Sequence, residues 1–291
     1  HTAYFNSGAV LYIPDNVEIT EPIEGIFYQD SDSDVPFNKH ILIIAGKNSK
    51  ISYLERLESR GGGSAKATAN ITVEVIARSG AQVKFAAIDR LGENVTAYIS
   101  RRGKLGNDAS IDWAIGVMNE GNVVADFDSD LIGNGSHADL KAVALSSGRQ
   151  VQGIDTRVTN YGCNSIGNIL QHGVILEKAT LTFNGIGHII KGAKGADAQQ
   201  ESRVLMLSDQ ARSDANPILL IDENDVTAGH AASIGQVDPE DMYYLMSRGL
   251  DKATAERLVV RGFLGSVIVE IPVKEVRDEM IATIEEKLSK R

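Results

Sequence analysis

The stretch RSGAQVKFAAIDRLGENVTAYISRRGKLGNDASID, residues 78–112, decides the fold class because it begins and ends on similar short turns. In RSGAQVK and in GNDASID, a small residue, Ala81 or Ala109, stands in a polar turn directly before a β-type run. Turns of the same kind recur elsewhere in the chain as GKNSKIS, GNGSHAD, NYGCNSI and SDQARSD. A turn that recurs at a regular interval is typical of solenoid proteins, in which one repeat forms one coil.

The interval between the turns sets the size of the repeating unit. The small residue falls, in chain order, at Ser49, Ala81, Ala109, Ser136, Cys163 and Ala211, so that four nearly even intervals are followed by one long interval. The long last interval contains a further turn, LEKATLT, at Ala179. Such a period holds two or three short strands, and stacked coils pair these strands in parallel. The spacing therefore predicts a mainly β protein with a parallel β-helix core and a small side chain, Cys163 included, tucked into each coil corner.

The composition agrees with a β-rich core without singling out the β-helix. The chain has 28 glycines and only 6 prolines among 291 residues, which favours many tight turns between short strands. Runs such as HILIIAG and ITVEVIA alternate with turns of Gly, Asn, Asp and Ser up to residue 235. On composition and strand pattern alone, sandwiches and barrels fit as well.

After residue 235, helical patterns replace the β-type runs. Asp238, followed by a proline, predicts the start of a first helix, which Gly249 ends. A second helix is predicted over residues 252–261, with Gly262 as its stop, and a third is predicted to begin at Pro272. The apolar face of the third recurs every four residues, at Val276, Met280, Ile284 and Leu288.

These patterns divide the chain into a β-helix core over residues 1–235 and a small C-terminal α-helical region over residues 236–291. An open solenoid end leaves unpaired strand edges, so we expect the helical region to cap that end. The chain begins at His1 and not at methionine, so we also expect an N-terminal segment to be missing from it.

Charge and cysteine content narrow the class of function. A net charge of −10 repels phosphate backbones, which argues against nucleic acid as a partner. The sequence has no apolar run long enough to span a membrane and no signal peptide, so no membrane association is expected. The single cysteine, Cys163, excludes a disulfide within the chain and fits a reducing compartment, so the cytoplasm is the expected location.

No motif in the sequence supports an independent enzyme. It contains no Walker A loop, Gly-x-Ser-x-Gly elbow, His-Glu-x-x-His or Cys-x-x-Cys. Among the six histidines, His230 has the strongest local case for a site, because its neighbours Gly229, Ala231 and Ala232 leave the ring accessible. A neutral imidazole can ligate iron or accept a proton near neutral pH.

The stretch SDQARSDANPILLIDENDVTAGHAASIGQVDPEDMYYLMSRGL, residues 208–250, resembles the C-terminal core of the SufB/SufD family, which belongs to the SUF iron–sulfur cluster assembly system. The shared features are a Ser-Asp turn with alanine, Pro217 before an apolar strand, Gly-His-Ala near Ser-Ile-Gly, and Tyr-x-x-x-Ser-Arg-Gly. Residues 11–29 and 40–55 resemble stretches near the start of the same core. The resemblance implies a right-handed parallel β-helix with C-terminal helices.

Two departures from the family pattern favour its SufD branch. Ser202 stands where SufB typically carries a cysteine, and Ala231 stands where SufB has a glutamate after the histidine. The resemblance then implies a non-enzymatic subunit that pairs with a SufB-type subunit and binds the SufC ATPase, present in two copies. A homodimer is the assembly expected when the chain is alone.

The same resemblance implies roles for particular residues. It places His230 at the SufB interface, as a candidate ligand of a transient iron–sulfur cluster shared with the SufB-type subunit, and it assigns no catalytic residue. The ATPase contact maps to Tyr243, Tyr244, Arg248 and Gly249. Cys163, as the only thiol, is a second candidate metal ligand.

Two enzymatic alternatives make His230 a general base instead. One is a β-helix acyltransferase, although the interval between the turns lacks the six-residue repeat of the left-handed members of that class. The other is a polysaccharide-acting β-helix, although such proteins are usually secreted and the sequence carries no export signal.

Overall fold

The computed structural model describes residues 3–33, 35–63, 65–269 and 274–289. Within these residues, sixteen β-strands are followed by three α-helices. The strands are Ser7–Ile13 (β1), Ile23–Asp30 (β2), Phe37–Ala45 (β3), Lys50–Arg60 (β4), Ala67–Ala77 (β5), Gln82–Arg90 (β6), Val95–Leu105 (β7), Ser110–Val117 (β8), Val123–Leu131 (β9), His137–Ser146 (β10), Val151–Asn160 (β11), Ile166–Ile175 (β12), Thr180–Ile189 (β13), Asp197–Met206 (β14), Arg212–Ile221 (β15) and Thr227–Gln236 (β16). The helices are Pro239–Ser247 (α1), Lys252–Ile268 (α2) and Lys274–Ser289 (α3).

The strands form two parallel sheets of eight. One sheet contains the odd-numbered strands from β1 to β15, and the other contains the even-numbered strands from β2 to β16. Gln152 of β11 pairs with Val123 of β9 and with Leu181 of β13, so the pairing repeats at the same interval in both directions along the chain. Two strands and two turns thus make one coil, and the chain is a parallel β-solenoid of about eight turns. The solenoid predicted from the spacing of the turns is confirmed.

The corners that precede the even-numbered strands repeat one conformation. A small side chain is buried at six successive corners, namely Ser49, Ala81, Ala109, Ser136, Ser165 and Ala196. The residue before each has a positive φ, between 52° and 71°, and these residues are Asn48, Gly80, Asp108, Gly135, Asn164 and Gly195. Glycine, asparagine and aspartate adopt this left-handed conformation more readily than other residues, so the sequence itself determines where each coil turns.

At the positive-φ position, glycine alternates with asparagine or aspartate from coil to coil. A Cβ atom on each glycine would collide with the side-chain oxygen of the asparagine or aspartate at the same corner of the preceding coil. The pairs are Asn48 and Gly80, Asp108 and Gly135, and Asn164 and Gly195. Each glycine therefore provides the space that the preceding asparagine or aspartate occupies.

The corner position predicted for Cys163 is wrong. The buried residue at that corner is Ser165, whose hydroxyl donates to the carbonyl three residues earlier, as the hydroxyl of Ser49 does in an earlier coil. Cys163 lies two residues before Ser165 and is partly exposed, because this coil is two residues longer than the preceding one. Ala179 and Ala211 occupy the opposite corner, before the odd-numbered strands β13 and β15.

Alternate side chains of both sheets fill the lumen of the solenoid and form the main hydrophobic core. The rings of Tyr53 and Phe85 lie 5.3 Å apart between centroids, and those of Phe85 and Trp113 lie 4.8 Å apart, on successive coils. Arg101 of the odd-numbered sheet reaches across the lumen to two acidic residues of the even-numbered sheet, Glu55 and Asp89. The lumen is thus packed with side chains and also holds buried charge.

Helices α2 and α3 pack across the outer face of the even-numbered sheet. Their buried side chains Val260, Leu264, Val267, Val276, Met280 and Ile284 form one apolar cluster with Leu54, Ile88, Val143, Leu145 and Val174 of the sheet. The ring of His172 stacks on Phe263 with centroids 4.9 Å apart, and Glu279 of α3 bridges Arg56 and Arg90. Apolar burial and ion pairs therefore fix the helices to the side of the solenoid.

The prediction that the helical region caps the open end is therefore wrong. On β10, the outward-facing residues Val143 and Leu145 are apolar, and the helices bury both of them. Burial of each such side chain contributes about 1.5–3 kcal/mol, so the apolar outer face of the sheet is where the helices gain most stability. Neither α2 nor α3 covers the C-terminal end of the solenoid.

Helix α2 continues past the predicted stop at Gly262 and ends at Ile268. No neighbouring atom lies where a side chain at Gly262 or Gly265 would stand, so neither glycine is needed for space. Leu264 and Val267 are fully buried. Their packing outweighs the helix-propensity cost of about 1 kcal/mol for each glycine.

The signals for the bounds of α1 and for the apolar stripe of α3 are confirmed. Asp238 caps α1 by accepting a hydrogen bond from the backbone N–H of Glu240, and Gly249, with a φ of 93°, follows the end of the helix. The stripe of α3 is buried at Val276, Met280, Ile284 and Leu288. Pro272, the predicted start of the third helix, lies outside the described residues.

Candidate functional site

The C-terminal end of the solenoid is open. Strands β15 and β16 are the last in their sheets, and within the described part of the chain each pairs along one edge only. Several apolar side chains at this end are 39% to 45% exposed, namely Ile218, Leu220, Ile221 and Ile234. Pro217 lies in β15, and proline is tolerated in a sheet chiefly on an edge strand because it has no N–H to donate. Two backbone edges with unused hydrogen-bonding groups thus meet at the open end.

His230 lies on β16, where it pairs in register with Gln200 of β14. Paired residues of a parallel sheet point to the same face. On β14, Gln200 and Ser202 are buried in the lumen, whereas Gln199 and Arg203 face solvent. His230 therefore points to the lumenal face, and it is exposed because no further coil covers it.

Buried polar side chains lie in the lumen directly beneath His230. The hydroxyl of Ser202 donates to Gln171 Oε1 at 2.8 Å, and Gln171 Nε2 donates to Thr156 Oγ1 at 2.8 Å. Gln200 Nε2 crosses the lumen to donate to the backbone carbonyl of Ile218 at 2.9 Å. These residues make the mouth of the lumen polar, whereas its middle is largely apolar.

Gln171 and Gln200 are not predicted from the sequence, and Ser202 stands out there only as a departure from the family pattern. The signal was present in the stretches NILQHGV and AQQESRV, where a glutamine occupies an alternating position that a buried strand normally fills with an apolar residue. Only the pairing register shows that both glutamines face the lumen, Gln200 directly below His230 and Gln171 below Ser202 in the neighbouring column.

His230 belongs to no cluster of potential metal ligands in the part of the chain that the structure describes. Among the described residues, no group of three or more His, Cys, Asp or Glu side chains is arranged to hold a metal ion. A single imidazole can contribute one bond to a metal or cluster, so any such site at the mouth requires ligands from another molecule.

Cys163 lies far from His230 in the fold. It sits in the turn before β12, two coils below β16, and coils in a parallel sheet are about 4.8 Å apart. Its backbone N–H donates to Asn134 Oδ1 at 2.9 Å, and its thiol lies 3.4 Å from the carbonyl of Gly192. The structure therefore does not bring the two candidate metal ligands together.

Helix α1 follows directly after β16 and presents the predicted partner-binding residues to solvent. Tyr243 is 76% exposed and Tyr244 is 56% exposed, and no residue of α1 is buried. The guanidinium of Arg248 lies 5.1 Å from the centroid of the Tyr244 ring, and Gly249 then ends the helix. Two aromatic side chains and a cation thus lie together on an exposed helix.

A groove of about 440 Å³ separates α1 from the end of β14. Its lining includes the methionines Met206, Met242 and Met246, and charged residues Lys252 and Glu256 stand at its side. Methionine is flexible and adapts to different apolar partners, so the groove extends the accessible surface next to Tyr244 and Arg248.

Comparison with known proteins identifies the family. A family model described as "SUF system FeS cluster assembly, SufBD core domain" matches residues 27–263. "Iron-sulfur cluster assembly protein SufD" of Bacillus subtilis is 46% identical over 289 residues, which make up 99% of this chain and 66% of that protein.

More distant relatives agree with this match. SufBD family proteins of Staphylococcus epidermidis and Staphylococcus saprophyticus are each 24% identical over 274 residues, covering 94% of this chain and 58% of theirs. The chain thus spans less than two thirds of the staphylococcal proteins and 66% of the Bacillus protein. Within the described residues, no helix has the length and apolar character needed to cross a membrane. With a family match over most of its length and 46% identity to a SufD, the chain belongs to the SufB/SufD family of the SUF iron–sulfur cluster assembly system and is SufD-like within it.

Proposed function

We propose that this chain is a non-catalytic subunit of a cytoplasmic iron–sulfur scaffold complex, in which it pairs with a SufB-type subunit through its open end and binds a SufC-type ATPase through α1. The observation that carries the proposal is that both sheets end, within the described residues, in a strand with one unpaired edge, β15 and β16, and that His230 lies on β16 and faces the lumen. The cluster is cargo that the complex builds and passes on.

The open end supports pairing with a second solenoid. Each edge strand has 10 residues, so at about 3.3 Å per residue it offers an edge of roughly 33 Å. A partner with its own open end can extend both sheets by backbone hydrogen bonds. Such pairing would also cover Ile221 and Ile234, which face the lumen at this end and are 41% and 39% exposed.

His230 supports a site shared between the two subunits. It stands on the edge strand itself, so its ring lies at the plane where a second subunit would begin. Because one imidazole cannot hold a cluster, the remaining ligands, a thiolate or carboxylate, come from the SufB-type subunit. Cys163 lies away from this plane and contributes no ligand in the proposal.

Helix α1 supports docking of the ATPase. Tyrosine and arginine are the residues that most often dominate binding energy at protein interfaces, and Tyr243, Tyr244 and Arg248 are exposed next to a methionine-lined groove. Hydrolysis of ATP is assigned to the partner, since the sequence has no phosphate-binding loop.

The experiment is His230→Ala in the complex purified after coexpression with SufB-type and SufC-type subunits. We expect the complex to assemble and melt like the parent, and to hold less iron and acid-labile sulfide. Ser233→Ala is the matched control, because Ser233 lies on the same edge strand and faces away from the lumen. Full iron and sulfide loading in His230→Ala would remove the residue from the site, and loss of assembly would make its role structural.

A further inference from the structure

We propose that the strand that pairs with β15 carries a side-chain hydrogen-bond donor opposite Asn216. This is the strand that the SufB-type subunit supplies in the function proposed above, on which the inference rests. The observation behind it is a ladder of polar side chains on the outer face of the odd-numbered sheet. The ladder runs through Asp155, Asn184 and Asn216, which are register partners on β11, β13 and β15.

The ladder has a direction, which the carboxylate at its base sets. Asp155 Oδ1 accepts a hydrogen bond from Asn184 Nδ2, and a carboxylate has no hydrogen to donate. The amide of Asn184 is therefore held with its oxygen turned towards β15. That oxygen accepts a hydrogen bond from Asn216 Nδ2 at 2.9 Å. A flip of the Asn184 amide would set its oxygen against the carboxylate, so the orientation of both amides follows from Asp155.

Asn216 ends the ladder with an unused acceptor. The carbonyl and one N–H of a carboxamide point in opposite directions, so Oδ1 faces the open edge when Nδ2 faces β13. Within the described part of the chain no group donates to this oxygen, and Asn216 is exposed. Neighbouring strands lie about 4.8 Å apart. The oxygen of Asn216 therefore stands to the next strand as the oxygen of Asn184 stands to β15.

This acceptor discriminates between partner strands. An asparagine, glutamine, serine, threonine or lysine opposite Asn216 would extend the ladder by one hydrogen bond. An aspartate or glutamate would set oxygen against oxygen and leave the acceptor unpaired inside the interface, which is destabilising. Directly opposite residues share a face in parallel and in antiparallel pairs, so the requirement holds for either direction of the partner strand.

The next two outer-face residues of β15 define the rest of the partner strand. Ile218 and Leu220 follow Asn216 at alternating positions and are 39% and 45% exposed. Apolar pairs across neighbouring strands are stabilising, so we expect apolar side chains opposite both residues. The strand that fits β15 thus has one donor and two apolar residues at alternate positions of its outer face.

The test is the dissociation constant between the full chain and a purified SufB-type subunit, measured for three substitutions of Asn216. Asn216→Leu has nearly the same shape but no acceptor. It should raise the dissociation constant about fivefold, the equivalent of one net hydrogen bond of about 1 kcal/mol. Asn216→Lys sets a donor against a donor and should raise it further. Asn216→Asp keeps an acceptor and should bind most tightly of the three. Its repulsion from Asn184 Oδ1 is present in the free and the bound chain alike, so it does not change this order.

Gln199→Lys and Gln199→Asp are the matched controls for charge. Gln199 faces outward on β14, one coil below the edge strand of the other sheet, so both changes should alter the dissociation constant much less. Thermal unfolding of each free variant checks its folding, and if one Asn216 variant fails to fold, the order of the other two decides. Parent-like binding of Asn216→Leu, or binding of Asn216→Lys at least as tight as that of Asn216→Asp, overturns the proposal.

Ala215→Pro separates this proposal from the pairing on which it rests. The N–H groups of Arg212 and Asp222 donate to the strand side of β13, so by alternation the N–H of Ala215 points to the open edge, as that of any residue at position 217 would. Proline at 215 should therefore weaken association with the SufB-type subunit and leave the own sheet paired. Unchanged association would remove β15 from the interface and overturn the pairing together with this proposal. Weakened association with the wrong order of the Asn216 variants would overturn this proposal alone.

Discussion

Replacing Arg101 with methionine should destabilise the solenoid by about 3–5 kcal/mol, because it leaves two buried carboxyl groups without their cation. Arg101 donates to both oxygens of Asp89, at 2.9 and 2.7 Å, and to Glu55 Oε1 at 2.6 and 3.2 Å. All three side chains are fully buried. Methionine fills part of the volume of arginine but donates no hydrogen bond.

The assay is thermal unfolding followed by circular dichroism. Large domains lose about 2–4 °C of Tm per kcal/mol, so Tm should fall by roughly 6–20 °C. Arg102→Met is the matched control, because Arg102 is the next residue and faces solvent, with its side chain 57% exposed. It forms an ion pair with Asp128 at 3.5 Å. Exposed ion pairs contribute only about 0–1 kcal/mol. Equal melting of the two variants would refute the reasoning.

The pH dependence of the same pair of variants provides a second check. Burial raises the pKa of the Glu55 carboxyl, and the Arg101 guanidinium opposes that rise. Because the folded state then binds the proton more tightly than the unfolded state, the stability from this group is greatest below the ordinary pKa of about 4.3 and declines as pH rises through the raised value. Without Arg101, the stability of the folded state should decline more over this pH range. The Tm difference between Arg101→Met and Arg102→Met should therefore be larger at about pH 8 than at about pH 5.

Two other expectations concern the helical region. Tyr244→Ala combined with Arg248→Ala should weaken copurification with the SufC-type ATPase about tenfold or more, since interface anchors of these types often contribute about 2 kcal/mol or more. The control is Tyr161→Ala, which changes an exposed tyrosine elsewhere on the solenoid. An unchanged yield of ATPase with the double variant would place the ATPase on another surface. Burial lowers the pKa of His172, which stacks on Phe263 of α2. The unfolded chain therefore binds this proton more tightly, and Tm should fall as pH drops below about 6.5. The Tm of His172→Phe should depend less on pH in this window, and equal slopes for the two proteins would contradict the assignment.

The coil architecture could be predicted because its determinants are local. Positive-φ residues such as Asn48 and Gly80, each followed by a small buried residue, mark one corner of the coil in the sequence itself. The error at Cys163 arose because coils differ slightly in length, and spacing alone cannot distinguish neighbouring small residues in one turn. Helix α3 was predictable for a similar reason, since its stripe repeats at helical spacing.

The position of the helices and the environment of His230 depended on contacts that the sequence does not state. The run KAVALS on β10 is apolar on both faces around Val143 and Leu145, which indicates a strand buried on both sides, but it does not identify what covers the outer face. The small neighbours of His230 along the chain indicate only that its ring is accessible. Its lumenal direction and its pairing with Gln200 follow from a register set by β14, the strand one coil earlier in the same sheet.

The alternation of glycine with asparagine or aspartate at the even-strand corners bears on how such a protein can lengthen or shorten during evolution. Duplication of a single coil would place two corners of the same kind in succession. Two asparagine or aspartate side chains would then compete for one space, or two glycines would leave that space empty. Asn16 and Asn48 show that asparagine can occupy this corner in two successive coils, because Asn48 Nδ2 donates a hydrogen bond to Asn16 Oδ1 at 3.1 Å. Duplication of two adjacent coils preserves the alternation without such an adjustment. Recombination should therefore add or remove coils in twos, and a designed longer solenoid should copy the segment between Asp108 and Asn164, which contains one complete pair.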